Sequence, residues 1–478
     1  MSITLSKKDV IWGYFAQFFA IASGIITLPL ILRMLSVEEI GMNYLMLTIG
    51  SLVSLFDFGF APQFGRNITY IFSGAQKLKE EGVNIINPGS KINYHLLATM
   101  IHTARFIYRW LAIIILLIMI TLGSLYIYKV TNGFTNIDNS FIIWIVYSVS
   151  TFINVYYSYY TSLLTGKGLI MESRKATVFS KMTYILLTFA FLSLGMGLLS
   201  VAMANLFAPF VNRYFSHHYF FTSDLKLKID AIKISKQEKI DLFKIIWHNA
   251  KKLGLVFVGS YAINKLSMFL AGLYLSLSDI ASYGLMMQLV GLIMSVSGTL
   301  FGIYQPRFSA LRVEGDNNSL FKEFAFTMNV QYLLYAFGTI FLLLLGPWLL
   351  TLIGSNALLP PIGILSIYTL VVLLEMNHSN FASFIVTKNN IPFVESSLIA
   401  GGCIALGSYF SLEYTSLGII GLVLVQGITQ LAYANWKWPH VVCKEFSISF
   451  ISFLSLGMYE SMNRFKLYFN ARKYQRLF

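Results

Sequence analysis

The sequence has little charge and almost no cysteine. Only 12% of its 478 residues are charged, whereas a soluble domain carries about 25%. Hydrophobic residues make up 56% of the chain, which is more apolar surface than a soluble fold of this length can bury. The two cysteines, Cys403 and Cys443, are too few for a disulfide framework, and we expect both to be free thiols. The composition excludes a soluble fold and predicts a polytopic membrane protein.

Motifs for common catalytic chemistry are also absent. The sequence contains no Walker A phosphate loop, no His/Cys metal spacing and no Ser/His/Asp arrangement in a soluble domain. We therefore do not expect ATP-driven pumping or hydrolysis by this chain alone, and we predict no cofactor. The net charge of +14 does not indicate nucleic-acid binding, because no soluble domain is present to carry a basic patch. The basic residues are better explained as anchors of cytoplasmic loops.

Long apolar runs dominate the sequence. A helix needs ~20 apolar residues to cross a bilayer. We predict an all-α polytopic membrane protein with about 12 transmembrane helices, at residues 10–32, 40–60, 105–128, 141–164, 177–195, 200–221, 253–274, 281–303, 324–346, 362–387, 392–411 and 415–436.

Charge sets the orientation of these helices. With the N-terminus in the cytoplasm, 28 of the 35 basic residues fall in inner connections, whereas the outer connections hold only Arg33 and Lys129. Cytoplasmic loops carry an excess of Lys and Arg. We therefore predict that both termini are cytoplasmic.

A repeated stretch divides the chain into two halves. Residues 35–46 and 275–286 are 240 positions apart and identical at five of twelve positions, and Glu39 matches Asp279. We interpret them as the corners between helices 1 and 2 and between helices 7 and 8 of a duplicated half. The predicted domains are an N-terminal six-helix lobe at residues 1–222, a cytoplasmic linker at 223–252 and a C-terminal six-helix lobe at 253–437. A cytoplasmic amphipathic, basic tail follows at 438–478.

The linker and the tail each predict a helix on the membrane surface. The linker interleaves lysines with isoleucines and leucines, a pattern typical of an amphipathic helix on the inner leaflet. Residues 446–459 are apolar but too short to span comfortably. We therefore predict a second surface helix there.

The first helix pair carries a recognisable motif. Residues 28–41 read Leu-Pro-Leu-Ile-Leu-Arg-Met-Leu-Ser-Val-Glu-Glu-Ile-Gly, residues 56–62 read Phe-Asp-Phe-Gly-Phe-Ala-Pro, and Arg66 follows. This resembles the polysaccharide-biosynthesis flippases of the multidrug/oligosaccharidyl-lipid/polysaccharide exporter superfamily, most of all the O-antigen repeat-unit flippases. One position departs from the family pattern, because Asn43 stands where the family often has an aromatic residue.

The resemblance implies a transporter of the bacterial inner membrane with two lobes around a central cavity. Its cargo would be an undecaprenyl-diphosphate-linked oligosaccharide, taken from the inner leaflet and released to the outer leaflet by alternating access. No covalent bond changes, so the protein would not be an enzyme. Transport coupled to H⁺ or Na⁺ and partners among polysaccharide assembly proteins are further expectations.

Basic and aromatic residues are the candidates for binding this anionic cargo. Lys265 lies about 18 Å along helix 7, near mid-bilayer, where a charge costs at least ~2.5–3.5 kcal/mol. The alternative for Lys265 is a buried ion pair. The other candidates are Arg33, Lys181, Arg213, Arg66, Tyr156 and Tyr160. Their alternative roles are topology anchors, an ion-paired helix end or an interfacial tyrosine belt. Glu38 and Glu39 could neutralise Arg33.

Acidic residues inside the membrane are candidates for ion coupling. Glu375 lies midway along helix 10, and His378 shares its helix face. Glu375 could also be the structural partner of Lys265. Asp57 ends helix 2, where an ion pair with Arg66 across a kink at Gly59 and Pro62 is the alternative to a coupling role.

Two other functions stay open. A drug/sodium or drug/proton antiporter of the same superfamily would favour acidic cavity residues, whereas basic candidates outnumber acidic ones here. A membrane glycosyltransferase or polymerase would normally need a large outer loop. Between predicted helices of the length that a bilayer requires, the longest outer connections, near 129–140 and 347–361, have only about a dozen residues each.

Overall fold

The described part of the chain is entirely helical. The computed structural model describes residues 7–78, 91–388 and 392–475, and these contain no β-strand. The helices are α1 Lys7–Met34, α2 Val37–Val53, α3 Phe60–Phe72, α4 Tyr94–Ile118, α5 Ser124–Val130, α6 Ser140–Tyr157, α7 Tyr159–Gly166, α8 Ile170–Ser193, α9 Leu198–Phe220, α10 Ser223–Asp230, α11 Lys236–Asn264, α12 Leu266–Tyr274, α13 Leu277–Ser297, α14 Thr299–Glu314, α15 Asn317–Leu352, α16 Ile362–Val386, α17 Val394–Tyr414, α18 Gly418–Ala432, α19 Ala434–Glu445 and α20 Phe450–Gln475. The termini, for which a cytoplasmic position is predicted, lie outside these residues.

Eight helical segments of the described residues are long and apolar enough to cross a membrane. They coincide with predicted helices 2, 3, 4, 5, 8, 9, 10 and 12. Predicted helix 7 is interrupted, because α11 ends at Asn264 and α12 begins at Leu266. The eight segments are Val37–Asp57, Tyr94–Val130, Ser140–Gly166, Ile170–Ser193, Leu277–Ser297, Asn317–Leu352, Ile362–Val386 and Gly418–Glu445.

Helix 2 ends at the predicted kink. After α2, a short 3₁₀ turn leads to Phe58 and Gly59, whose φ angles of 44° and 76° are left-handed. Glycine adopts this conformation without a steric penalty, so the chain turns there and α3 begins at Phe60. The kink places Asp57 at the N-terminus of a new helix rather than inside a continuous one.

Helix 3 begins earlier than predicted. The hydropathy pattern places its start near residue 105, but α4 starts at Tyr94, where the side chain of Asn93 accepts a hydrogen bond from the Leu96 amide at 3.0 Å. Such N-caps stabilise a helix start by ~1 kcal/mol. His95, His102 and Arg105 reduce the hydropathy of these turns, which hid them from a search for apolar runs.

The predicted surface helix of the linker is not separate from helix 7. Residues 236–264 form the single helix α11, with no proline to interrupt it. Leu242, Ile246 and Ala250 are buried in an apolar cluster with residues of α3, α4, α7 and α10. The linker and the first part of predicted helix 7 are therefore one helix, whose apolar residues pack against the rest of the first unit.

The chain divides into two compact units. One contains Met1–Tyr261, Leu275–Ala281 and Ser355–Ala357, and the other contains Ala262–Tyr274, Ser282–Gly354 and Leu358–Phe478. The corner of the second half thus clusters with the first unit. The domain limits expected from the sequence stay predictions.

The first unit contains a corner at which three segments distant in the sequence meet. Ser36 and Glu39 form a capping box at the start of α2, and the Asn356 backbone amide and side-chain amide donate to the carbonyls of Leu32 and Leu35, each at 2.7 Å. A Cβ atom added to Gly41 would lie 2.2 Å from the Leu277 carbonyl oxygen. Small residues permit such close approach of backbones in membrane proteins.

An aromatic cluster packs the start of α20 against the rest of the second unit. Phe453 on α20 is buried against Phe324 on α15 and Phe381 on α16, with ring centroids 5.3 and 5.2 Å away. Further along α20, Ser461 accepts a hydrogen bond from Asn329 at 2.8 Å. The tail segment expected on the membrane surface is therefore packed against α15 along one side.

Candidate functional site

Basic and aromatic side chains converge within the first unit where α9 ends. Arg213 lies over the ring of Tyr157 at 5.0 Å, and Arg105 lies over the ring of Phe221 at 5.6 Å. His217 stands between them, 6.3 Å from Tyr160 and 4.9 Å from Phe221 by ring centroids. We call Arg105, Arg213, His217, Tyr157, Tyr160 and Phe221 the basic-aromatic cluster.

The cluster contains two of the residues expected to bind cargo. Tyr160 is buried and stacks on Tyr159 at 4.6 Å, whereas Arg213 is exposed. Tyr156 adjoins the cluster through Tyr157, whose ring is 5.0 Å away. Cation–π contacts hold the guanidinium groups over ring faces, and Arg105 also hydrogen-bonds the Tyr159 side chain. A guanidinium carries five N–H donors, so such contacts leave others for an anion.

The sequence places Arg105 at the inner end of predicted helix 3, where a topology anchor and a contact to an anionic cargo are both open, and it predicts no role for His217. Both lie at positions that a helical pattern alone does not connect, because α4 and α9 are far apart in the chain. The signal that could have found His217 is the run of basic and aromatic residues from Arg213 to Phe221 at the end of helix 6.

Asp57 lines a polar cavity of about 460 Å³ in the same unit. One carboxylate oxygen accepts a hydrogen bond from the Tyr108 hydroxyl, and the other accepts from the Ala61 amide at 3.1 Å. The remaining polar lining comes from α6 and α9 and includes Ser150, Asn154 and Asn205. The sequence pattern had not indicated Tyr108 or Asn205.

The expected ion pair between Asp57 and Arg66 does not form. Arg66 is exposed and donates to the Gln63 side chain, one turn earlier on α3. The left-handed turn at Phe58 and Gly59 lets the Asp57 carboxylate cap the start of α3. A carboxylate at a helix N-terminus is stabilised by the free amides there, so it needs no arginine.

Arg33 is exposed at the C-terminal end of α1. The carboxylate of Glu39, expected to neutralise it, instead accepts hydrogen bonds from the backbone amides of Ser36 at 2.9 Å and Leu198 at 2.7 Å. Glu38 and Glu39 line a cavity of about 900 Å³. The amides are better partners because they are fixed at helix starts, whereas an exposed arginine must be ordered to pair.

Lys181 is exposed on α8, with its ammonium 5.8 Å from the ring centre of Tyr184. The structure does not bring Lys181, Arg33 or Arg66 into the basic-aromatic cluster. The ammonium of Lys167, in the connection after α7, donates a hydrogen bond to the Phe220 carbonyl at 3.1 Å. Partial burial lowers the pKa of Lys167, although Glu172 acts in the opposite direction.

Lys265 and Glu375 do not pair with each other in the second unit. Lys265 occupies the break between α11 and α12 and is exposed. Glu375 and His378 are buried on one face of α16, as expected. The ion pairs of the described residues include none between Lys265 and Glu375, so their pairing is not part of this conformation.

The surroundings of Glu375 and His378 differ. Nδ1 of His378 lies 2.7 Å from the Asn435 side-chain oxygen and 3.2 Å from the Leu374 carbonyl. Oε2 of Glu375 has no hydrogen-bond partner within the described ranges. Buried polar atoms are nearly always satisfied, so this oxygen is available to a proton, a cation or a polar ligand. No group of three or more His, Cys, Asp or Glu residues in that part of the chain could hold a metal ion.

Solved structures share this fold. The chain is similar to the lipid II flippase MurJ in an inward closed conformation, with a TM-score of 0.63, 14% identity, and coverage of 97% of this chain and 93% of that one. It is also similar to an inward-facing multidrug resistance MATE family transporter of the MOP superfamily, with a TM-score of 0.61, 15% identity, and coverage of 91% and 96%. A third match is the Vibrio cholerae MATE transporter VcmN, with a TM-score of 0.54, 13% identity, and coverage of 92% and 97%.

No protein-family model and no curated protein sequence matches the chain. The structural matches confirm the predicted all-α, polytopic membrane fold with about 12 transmembrane helices. The matched structures are two transporters and a flippase, and the chain is a multi-pass membrane protein of that fold.

Proposed function

We propose that the protein is a flippase for undecaprenyl-diphosphate-linked O-antigen or related polysaccharide repeat units. It moves them from the inner to the outer leaflet of the bacterial inner membrane by alternating access. The basic-aromatic cluster is the observation that carries this proposal, because it combines two arginines with ring faces at one place in the first unit. Arginine binds phosphate oxygens through two parallel N–H donors, and aromatic faces can pack against sugars.

The other basic candidates are proposed as further contacts, each within its own unit. Lys265, exposed at the break in helix 7, is proposed as a second phosphate contact. Arg33, at the outer end of α1, is proposed as a contact during release. Lys181 and Arg66 are proposed as weaker contributors, since neither has a carboxylate partner among the ion pairs of the described residues.

A flipping assay with cluster variants tests the cargo proposal. Purified protein in liposomes should flip a fluorescent undecaprenyl-diphosphate oligosaccharide, and Arg105→Ala combined with Arg213→Ala should lower the rate at least about 100-fold, since each lost contact between an arginine and a phosphate costs about 1.5–3 kcal/mol. Arg109→Ala is the matched control, because Arg109 is an exposed arginine one turn along α4 from Arg105. Equal rates for the double variant and the control would refute the site.

Coupling to H⁺ or Na⁺ is proposed at two carboxylates, one in each unit. Asp57 lies in a polar cavity, and Glu375 has an oxygen without a partner among the described residues. A coupled transporter requires a differential interaction of the ion with its two states. Glu375→Gln and Asp57→Asn should each be tested for flipping with and without an imposed pH or Na⁺ gradient. Loss of the gradient response with normal folding supports coupling at that residue, and an unchanged response removes it.

A second candidate function is multidrug or cation antiport. The cavity with Asp57 supports it, because an acidic group in a cavity suits a cationic substrate, and two of the structural matches are MATE transporters. Efflux of a cationic dye separates the candidates. Dye efflux that Asp57→Asn abolishes, in a protein that does not flip the lipid-linked oligosaccharide, would establish antiport instead. Accumulation of lipid-linked repeat units on the inner leaflet of a deletion strain would favour the flippase.

A further inference from the structure

A groove of about 1200 Å³ opens in the second unit between α15, α16 and α19. It is larger than the roughly 300–1,000 Å³ of a drug-sized pocket. In the first unit, Trp144 on α6 fills the space beside Gly123, where an added Cβ would lie 2.6 Å from its ring. In the second unit, long side chains bridge α15 and α16, as when the Tyr335 hydroxyl donates to the Thr369 carbonyl at 2.8 Å.

The body of the groove accepts an apolar chain. Ile340, Leu370 and Trp436 line it and are each more than half exposed. One pair of polar groups in the lining is already satisfied, since the hydroxyl of Tyr332 donates to the Asn377 side-chain oxygen. The Thr339 hydroxyl, also in the lining, has no hydrogen-bond partner among the described residues. An occupant of this part gains mainly apolar contact.

One end of the groove is cationic and rich in hydroxyls. Lys444, on the last turn of α19, lines this end together with His440, Ser447 and Ser449. The neighbouring carboxylate of Glu445 is held by Arg312 and by Lys388, the latter at 2.8 Å. No ion pair of the described residues involves Lys444, so its charge is available to a phosphate.

The length of the groove matches one leaflet. The lining runs along α16 from Thr369 to Asn377 and continues along α19 from Asn435 to Lys444, and the two stretches adjoin where His378 contacts Asn435. At 1.5 Å per residue this is roughly 25 Å. A bilayer is about 40–45 Å thick with its headgroup regions, so one leaflet measures about 20–22 Å.

We propose that this groove is a binding site for an anionic diacyl phospholipid. The acyl chain lies along Ile340 and Leu370, and the phosphate is held by Lys444 with the hydroxyls of Ser447 and Ser449. The lipid fills the gap between α15 and α16 that side chains leave open. A polyprenyl phosphate is a different occupant, and its chain is longer than one leaflet.

Native mass spectrometry of the purified full chain with phosphatidylglycerol tests the proposal. The wild type should retain one phosphatidylglycerol in preference to phosphatidylcholine. Lys444→Ala should remove that preference by at least about tenfold, the loss of roughly one charge-assisted contact. Lys437→Ala is the matched control, because Lys437 lies on the same helix with its ammonium 5.8 Å from the ring of Tyr433, away from the groove lining.

A second pair of variants tests the acyl-chain site without depending on the headgroup. Ala336 is an exposed residue of the groove lining, so Ala336→Trp should fill the groove from α15 and abolish lipid retention. Phe337→Trp, at a neighbouring exposed position outside the lining, should not. Unchanged retention by Ala336→Trp would overturn the proposal, as would retention of undecaprenyl phosphate but not phosphatidylglycerol. Because no readout uses transport, these outcomes are independent of the flippase proposal.

Discussion

The two copies of the repeated corner build the same local structure from slightly different residues. In the first, Ser36 accepts a hydrogen bond from the Glu39 amide at 3.1 Å, and in the second, Ser276 accepts from the Asp279 amide at 3.1 Å. Each serine caps the start of a helix, α2 or α13. A short polar cap therefore specifies where the second helix of each half begins.

The acidic residues of the two corners differ by one methylene, and this changes what they bind. Asp279 reaches no further than the Ser276 hydroxyl, 2.6 Å away. Glu39 reaches its own cap residue and also the Leu198 amide at the start of α9. Gly197 makes room for it, because an added Cβ there would lie 2.4 Å from the Glu39 carboxylate. The longer side chain turns a local cap into a link between two helices.

Two further positions show which neighbours each corner meets. Gly41 lies against the Leu277 backbone, whereas its counterpart Ala281 carries a Cβ and is buried. Asn43 is buried where Tyr283 stands in the second copy, and the Tyr283 hydroxyl lies 3.2 Å from Ser267. The repeat thus keeps the helix starts and changes the side chains that pack against different partners.

The largest effect should come from giving the first corner the residue of the second. Gly41→Ala places a Cβ 2.2 Å from a backbone oxygen that cannot move aside, and we expect a loss of about 3 kcal/mol of stability, at the upper end of overpacking effects. Thermal unfolding in detergent measures it. Gly291→Ala on α13, with nothing within 4 Å of the added Cβ, is the control and should be neutral or slightly stabilising. Equal melting temperatures for the two variants would disprove the close contact.

Exchanging the acids of the two corners should have the next largest effect. Glu39→Asp loses the hydrogen bond to the Leu198 amide, which should cost about 1.5–3 kcal/mol because the acceptor is charged. Asp279→Glu adds a methylene in an exposed corner and should change stability by less than about 0.5 kcal/mol. Melting temperatures of both variants give the comparison. If Asp279→Glu destabilises as much as Glu39→Asp, the link to α9 is not what distinguishes them.

Removing one tyrosine hydroxyl from each half compares their buried polar contacts. Tyr108→Phe deprives the Asp57 carboxylate of a donor, which should cost about 2 kcal/mol since the acceptor is charged. Tyr283→Phe removes a contact between two neutral hydroxyls and should cost about 1 kcal/mol. Chemical denaturation with matched m-values tests the order. A larger loss for Tyr283→Phe would contradict it.

The smallest effect should be seen at a third, exposed capping box. Glu238 accepts from the Ser235 amide at 2.7 Å, and this hydrogen bond lowers the pKa of the Glu238 carboxyl below its ordinary value of 4.5. A lowered pKa contributes stability above the unfolded pKa and loses it as the pH falls through the folded pKa. Glu238→Gln should therefore melt slightly below the wild type at pH 7, and the difference should shrink as the pH falls below 4.5 and through the lowered pKa of the folded state. A difference that grows in acid would reverse the assigned sign.

Apolar run length and charge alternation were enough to predict the polytopic helical fold, because a bilayer demands helices of fixed minimum length. They failed where polar residues enter a helix. Helix 3 begins at Tyr94 because Asn93 caps it, and the linker joins helix 7 because its apolar face packs on α3 and α4. Both outcomes depend on local capping and tertiary contact, which hydropathy does not record.

Candidate site residues were predicted from the sequence mainly because a charged side chain inside a bilayer costs free energy. This criterion identifies a residue but not its partner. Tyr160 meets His217 because α7 packs against α9, and Arg105 meets Phe221 just after α9 ends. The Lys265 and Glu375 pair was inferred from opposite charge alone, and the chain places these residues apart.

Run length and caps within four residues were enough to predict an all-helical membrane fold and the corners of the repeat, because both depend on residues close together in the sequence. Tertiary structure alone decided that Asp57 is held by Tyr108 rather than Arg66. It also decided that α15 and α16 leave a groove in the second unit. Such choices depend on side-chain reach across helices distant in the chain, where one methylene or one missing Cβ selects the partner.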